Sequence, residues 1–187
     1  MGFKAHAIRR VCAAVLFSGY RLSQVLSNTE PNSTDRLSGE SRLHAQAYQQ
    51  QLLIERLRQL LPYAPTWIHG HLMLAELAMQ QMDLATAYAS AQAVLQLGKA
   101  SSSMVFRAKL ILGRCYLQRG SPEKAREYFE PLLQVREFEN IAREELAASL
   151  IALGDYAGVI STLSTLPRQD LSQAALTALS YAQAKMN

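Results

Sequence analysis

Apolar residues recur with the period of an α-helix from Leu43 to the end of the chain. The first such stretch places four leucines on one helical face, with i, i+4, i+7, i+8 spacing: Leu53, Leu57, Leu60 and Leu61. Pro62 and Pro65 follow, so the helix expected over 43–61 should end there. No later stretch alternates with a period of two, as a half-buried strand would. The pattern therefore predicts an all-α body.

Three segments repeat one frame of small and large residues. The frame is clearest in "LGRCYLQRGSPEKAREYFEPLL", residues 112–133, and it recurs in 74–95 and 146–166. A small residue fills the equivalent slot in each segment: Ala75, Gly113 and Ala147. Self-similarity at a period of about 34 to 38 residues predicts stacked helical hairpins. The first interval is the longer one, which predicts about one additional helical turn before the second hairpin.

The turns of these hairpins can be located from their end signals. Gly120 and Gly154 stand where a first helix should end. Second helices should begin just after an N-cap residue, and the candidates are Asp83, Ser121 and Asp155. Within the middle hairpin, Gly113 should let the two helices approach while Phe129 fills the space between them.

The middle segment resembles the tetratricopeptide repeat family. Two of the family's motifs, L-G-x-x-Y and A-x-x-x-F, are matched in order by Leu112, Gly113, Tyr116, Ala125 and Phe129. The third segment keeps the frame with Leu146, Ala147, Leu150, Val159 and Leu163, and the first is a degenerate copy with Leu74, Ala75, Ala78, Ala87 and Ala91. The sequence departs from the family where His71, Lys109 and Arg143 replace an aromatic residue and where Glu137 replaces the closing proline.

The resemblance implies a right-handed α-solenoid of about three helical hairpins within a domain over 43–187. Its repeats would cover about 66–101, 102–137 and 138–167. Flanking helices would close both ends: the one over 43–61, and a C-terminal capping helix over 170–186. A capping box formed by Asp170 and Gln173 should open that last helix.

The N-terminal segment, residues 1–26, is basic and contains a ten-residue apolar run, "VCAAVLFSGY". That run is about half the length needed to span a bilayer as a helix. Four interpretations fit it: a helix packed on the body, a secretory signal cleaved near Ser27, an organellar presequence, and a helix on an anionic membrane. Localisation therefore stays open between the cytoplasm, a membrane surface and an exported form. Residues 27–42 lack an apolar period and are predicted to be a polar linker.

The charge of this 187-residue chain is unevenly distributed. Its net +4 comes from residues 1–29, whose charged residues are Lys4, Arg9, Arg10 and Arg21. From Glu30 onward, 15 basic residues balance 15 acidic ones. Phosphate contacts need an excess of Lys and Arg, so we predict no nucleic-acid partner. A helical-repeat nucleic-acid-binding protein is kept as an alternative.

The sequence contains no recognisable catalytic or metal-binding motif. His69 and His71 are two positions apart and would not share a helical face, so no metal site is predicted. Cys115 lies inside the clearest repeat, where a small buried apolar residue is expected. We predict a protein that is not an enzyme and has no cofactor.

In the resembled family, the first helix of each hairpin lines a concave groove that takes a peptide or a helix. Carrying those slots over gives the groove residues: His69, Leu72, Met73, Glu76, Arg107, Leu110, Ile111, Arg114, Ile141, Glu144, Glu145 and Ala148. Leu72, Met73, Leu110 and Ile111 would form an apolar floor. Family members that clamp a carboxylate terminus use Lys, Asn and Arg in such slots. In this chain only Arg107 and Arg114 could serve in that way, so the clamp is not reproduced.

These features predict an adaptor or scaffold that binds a partner peptide or amphipathic helix within a larger assembly. Arg107 and Arg114 lie on one helical face on either side of Leu110 and Ile111, so the partner should carry acidic residues around an apolar anchor. A regulatory subunit of a catalytic partner is a further alternative. The oligomeric state is left open.

Overall fold

The structure is a computed structural model that describes residues 35–186, with side chains from Gln46 onward. Residues 1–34, which hold the predicted N-terminal segment and the first half of the predicted linker, lie outside the described part. Within residues 35–186, eight α-helices follow one another: α1 (Asp35–Leu60), α2 (Ile68–Gln80), α3 (Leu84–Gln96), α4 (Ser102–Gln118), α5 (Pro122–Phe129), α6 (Glu139–Leu153), α7 (Tyr156–Leu163) and α8 (Gln173–Met186). Two 3₁₀ turns, Glu130–Gln134 and Arg168–Asp170, complete the elements. Residues 35–186 contain no strand, which confirms the all-α class.

The helices pack in chain order, each mainly against its neighbours in the sequence. Three pairs joined by short turns, α2 with α3, α4 with α5 and α6 with α7, fall within the three predicted repeats. The first helix of each pair also contacts the first helix of the next pair, and α6 likewise contacts α8. This arrangement sets α2, α4, α6 and α8 side by side in succession.

The turns of the three pairs share one backbone conformation. A residue in the turn after each first helix is left-handed, with φ of 58°, 73° and 74° at Met82, Gly120 and Gly154. In each turn the next residue donates its N–H to the carbonyl oxygen five positions earlier, at 2.9 Å: Asp83 to Ala78, Ser121 to Tyr116 and Asp155 to Leu150. This is the Schellman pattern that ends a helix, and it recurs at the same two intervals as the small slots of the sequence.

Two of the three predicted N-caps bond as expected. Asp83 Oδ1 accepts a hydrogen bond from the Thr86 N–H at 3.1 Å, and Asp155 Oδ1 accepts one from the Gly158 N–H at 2.8 Å. Ser121 occupies the N-cap position, but its side chain makes no capping bond. The prediction for Ser121 was therefore right in position and wrong in bonding.

Gly113 packs as the repeat frame predicts. A Cβ atom added to Gly113 would lie 2.3 Å from Phe129 Cε1, so any larger residue would push the two helices apart. Ala75 and Ala147, which fill the same slot in the other pairs, are both completely buried. The small slot thus sets the distance between the helices of a pair.

The first and last helices differ from their predicted bounds. α1 begins at Asp35, so residues 35–42, predicted as linker, are helical. Its leucine stripe packs as expected, with Leu57 and Leu61 buried against Leu74 of α2. At the other end the predicted capping box is wrong: Asp170 lies in a 3₁₀ turn, and Ser172 Oγ accepts the hydrogen bond from the Ala175 N–H at 3.2 Å. α8 consequently begins at Gln173.

A candidate interaction face on the first helices

The predicted groove residues lie on three helices that contact one another in succession. α2 carries His69, Leu72, Met73 and Glu76, α4 carries Arg107, Leu110, Ile111 and Arg114, and α6 carries Ile141, Glu144, Glu145 and Ala148. We call the solvent-facing part of this set the first-helix face. The residues of this face lie far apart in the sequence, and the side-by-side packing of α2, α4 and α6 brings them together.

Ion pairs between successive helices dominate the first-helix face. Arg107 of α4 pairs with Glu76 of α2 at 2.5 Å, and Arg114 of α4 pairs with Glu145 of α6 at 2.7 Å. All four side chains are partly exposed, between 21% and 47%. Half-exposed pairs of this kind stabilise a protein by about 0.2–1 kcal/mol each. Both arginines therefore have a carboxylate partner within the chain, which weakens the expectation that they await an acidic ligand.

A third contact continues the series to α8. Glu144 Oε1 accepts a hydrogen bond from the backbone N–H of Ser172 at 2.7 Å. Ser172 immediately precedes α8, so Glu144 fixes the start of that helix against α6. Each first helix is thus tied to the next by one polar contact on the same face.

The predicted apolar floor is largely buried. Leu72, Leu110 and Ile111 are only 3%, 8% and 4% exposed, and Met73 is half-buried against the cluster formed with α1. Leu110 belongs to the same core cluster as Ala142 and Leu146 of α6. It is buried because α4 and α6, two successive first helices, pack closely against each other. The prediction that these residues form an open floor is corrected: three of them are core residues.

The apolar surface that remains on the face is contributed by α6. Ile141 is 43% exposed, and Ala148, two turns along the same helix, is also exposed. His69, at the start of α2, is exposed as well. The first-helix face therefore combines two exposed aliphatic side chains with two ion pairs and with Glu144, whose partner is a backbone N–H, so its formal net charge is −1.

The sequence did not predict the ion pairs between helices, because the two residues of each ion pair lie in different helix pairs. Arg114 and Glu145 are 31 residues apart, and Glu76 and Arg107 have the same separation. The separations are equal although the intervals between equivalent positions, 38 and 34 residues, are not, so the paired side chains are offset from equivalent positions by seven residues in the first pair and by three in the second. The sequence does not single out that separation in advance, because it depends on how far successive first helices are shifted along one another.

The remaining titratable candidates have structural contacts. Cys115 is fully buried, and burial raises the pKa of its thiol, which lies 3.9 Å from Met79 Sδ. His71 contacts the Pro65 carbonyl oxygen through Nε2 at 3.0 Å. Within residues 35–186, no three His, Cys, Asp or Glu side chains lie close enough together to hold a metal ion.

No protein-family model matches the chain, and no curated protein matches it significantly. Across the described helices, none combines the length and apolar character needed to cross a membrane.

Proposed function

We propose that the chain is a non-enzymatic scaffold of tetratricopeptide-like hairpins, and that it binds a partner peptide or helix along the first-helix face. The hairpins would stack as a right-handed α-solenoid, with α1 and α8 at its ends. The partner would lie across α2, α4 and α6 and take its place in a larger assembly.

The observation that carries the proposal is the threefold repetition of the turn. The left-handed residue, the hydrogen bond that closes the helix end and the small interhelical slot all recur at the same two intervals along the chain. A repeating unit that stacks on its neighbours forms an extended surface, and such surfaces are what solenoid proteins use for binding. The recurrence supports the repeat assignment independently of the motif match.

The chemistry of the face favours a particular kind of ligand. Its arginines are neutralised by Glu76 and Glu145, so a strongly acidic ligand would have to compete with an existing carboxylate. The exposed aliphatic surface on α6 offers an apolar anchor point at Ile141 and Ala148. A helical or extended segment that inserts an apolar side chain there, with polar neighbours, is the ligand that fits best.

The test uses a displayed peptide library selected against the full chain. A selected peptide should lose about tenfold or more in affinity when Ala148→Asp introduces a charge that binding would desolvate. Ala157→Asp is the matched control, because Ala157 is also exposed but lies on α7, the second helix of the same pair. Both variants should stay folded because neither side chain is buried, although Ala148→Asp should lower the unfolding temperature by a few degrees through its lower helix propensity and the nearby Glu144 and Glu145.

Equal binding by Ala148→Asp and the wild type would remove the first-helix face from consideration. Loss of binding in Ala157→Asp alone would move the ligand to the second helices. A selection that returns no peptide would contradict the proposal as a whole.

A further inference from the structure

One carboxylate on the first-helix face has no cation beside it. The ion pairs of Arg107 and Arg114 use the other two glutamates of the face. Among the side chains that the structure describes, Glu144 takes part in no ion pair. The formal charge of −1 on this face is therefore located at Glu144. A charge without a counter-ion, on a surface whose other charges are paired, is a point at which a ligand of opposite charge gains affinity and specificity.

The carboxylate of Glu144 is held in place although its charge is free. Its Oε1 accepts the hydrogen bond from the Ser172 N–H at 2.7 Å, and the residue is only partly exposed. The donor is a neutral backbone group, so the hydrogen bond positions the carboxylate without cancelling its charge. An ionised carboxylate accepts several hydrogen bonds, so one bond leaves room for a ligand. Because the side chain is already fixed, little conformational entropy is lost when a ligand binds it.

Two exposed aliphatic side chains flank Glu144 on the same side of α6. Ile141 lies three residues before it and Ala148 four residues after it, and residues at these spacings share one helical face. Ile141 is 43% exposed, and Ala148 is exposed as well. An apolar group that covers them would also exclude water from around the carboxylate. The attraction between the carboxylate and a cation of the ligand becomes stronger there, because less water screens it.

We propose that the ligand of the first-helix face is a peptide segment with a lysine or arginine beside its apolar anchor, the anchor covering Ile141 and Ala148 and the cation pairing with Glu144. The inference rests on the proposed function and specifies the charge of the ligand. An acidic segment fits less well, because both arginines of the face have carboxylate partners within the chain and the face as a whole is negative. A basic segment meets the one charge of this face that has no counter-ion among the described residues.

The variant Glu144→Gln isolates the charge, because the amide oxygen of glutamine can still accept the Ser172 N–H and keep the start of α8 in place. The displayed library selected against the full wild-type chain should return peptides enriched in Lys or Arg. A selected peptide should bind Glu144→Gln about tenfold more weakly than the wild type, since a hydrogen bond between two charged groups is lost.

Two controls locate the effect at Glu144. The selected peptide with its basic residue replaced by glutamine should bind the wild type and Glu144→Gln equally, because the pairing is then already absent. Glu127→Gln is the matched protein variant, since it removes the same charge from an exposed position on α5, a second helix. It should bind the original peptide as the wild type does.

The outcomes separate this inference from the proposed function. Peptides that lose affinity for Ala148→Asp, but carry no basic residue or bind Glu144→Gln as they bind the wild type, overturn the charge assignment alone. Equal losses in Glu144→Gln and Glu127→Gln also overturn it, because the overall charge of the chain would then attract the peptide. Self-association of the wild type that Ala148→Asp abolishes would assign the face to a second copy instead. A selection that returns no peptide contradicts both proposals.

Discussion

At the scale of single residues, the turn of the first helix pair, α2 with α3, differs from the turns of the other two pairs. Met82 holds the left-handed conformation with φ of 58°, whereas the equivalent positions are Gly120 and Gly154. A side chain in this conformation costs roughly 1–2 kcal/mol, which glycine avoids because it lacks a Cβ. The sequence located this turn through the N-cap Asp83, but it did not identify the left-handed residue, since methionine carries none of the usual turn signals.

Met82→Gly should therefore stabilise the protein by about 1 kcal/mol, after the added freedom of glycine in the unfolded chain is allowed for. For a chain of this size the unfolding midpoint should rise by about 2–4 °C in a thermal melt. The Met82 side chain is 56% exposed, so little packing is lost. The matched control is Gly120→Ala, where an added Cβ would meet nothing within 4 Å and only backbone strain is introduced. Gly120→Ala should lower the unfolding midpoint. If Met82→Gly also lowers it, the methionine side chain stabilises the protein by more than its left-handed backbone conformation destabilises it.

At the scale of helices, the pattern of small and large residues predicted the lengths of helices better than the residues at which they begin. The longer first interval becomes an additional turn in α4, which has 17 residues against 13 in α2. The start of α1 was missed because residues 35–42 have no apolar stripe, although Leu37, Glu40 and Arg42 are good helix formers. The start of α8 was missed because Asp170 and Ser172 both suit an N-cap, and the Glu144 contact to Ser172 lies across the fold.

The helix caps give a prediction at this scale. Asp155→Ala should destabilise the protein by about 1 kcal/mol, because it leaves the Gly158 N–H without its capping oxygen. Ser121→Ala is the control at the equivalent position of the preceding pair, and it should change stability much less because Ser121 makes no capping bond. Urea unfolding of the two variants measures the difference. Equal losses would mean that Ser121 caps α5 in solution.

At the scale of the whole molecule, the sequence predicted which helices pair but not what ties the pairs together. The sequence predicts the helix pairs because each pair depends on small interhelical residues and turn residues that are close together in the sequence. The ion pairs of Arg107 with Glu76 and Arg114 with Glu145 depend on how far successive first helices are rotated and shifted, and no local pattern encodes that. The same dependence explains why Leu110 and Ile111 were expected on the surface and lie in the core.

Whether the arginines hold the stack together or bind a ligand is decided by a double-mutant cycle. Arg114→Ala, Glu145→Ala and the double variant should show a coupling free energy of about 0.2–1 kcal/mol in urea unfolding, because the two side chains form a partly exposed ion pair. The coupling should decrease with added salt. Arg107→Ala combined with Glu145→Ala is the matched control and should show none, since Arg107 pairs with Glu76 instead. If the Arg114 and Glu145 cycle also shows no coupling, the guanidinium is available in solution, and an acidic partner again becomes the ligand of choice for the first-helix face.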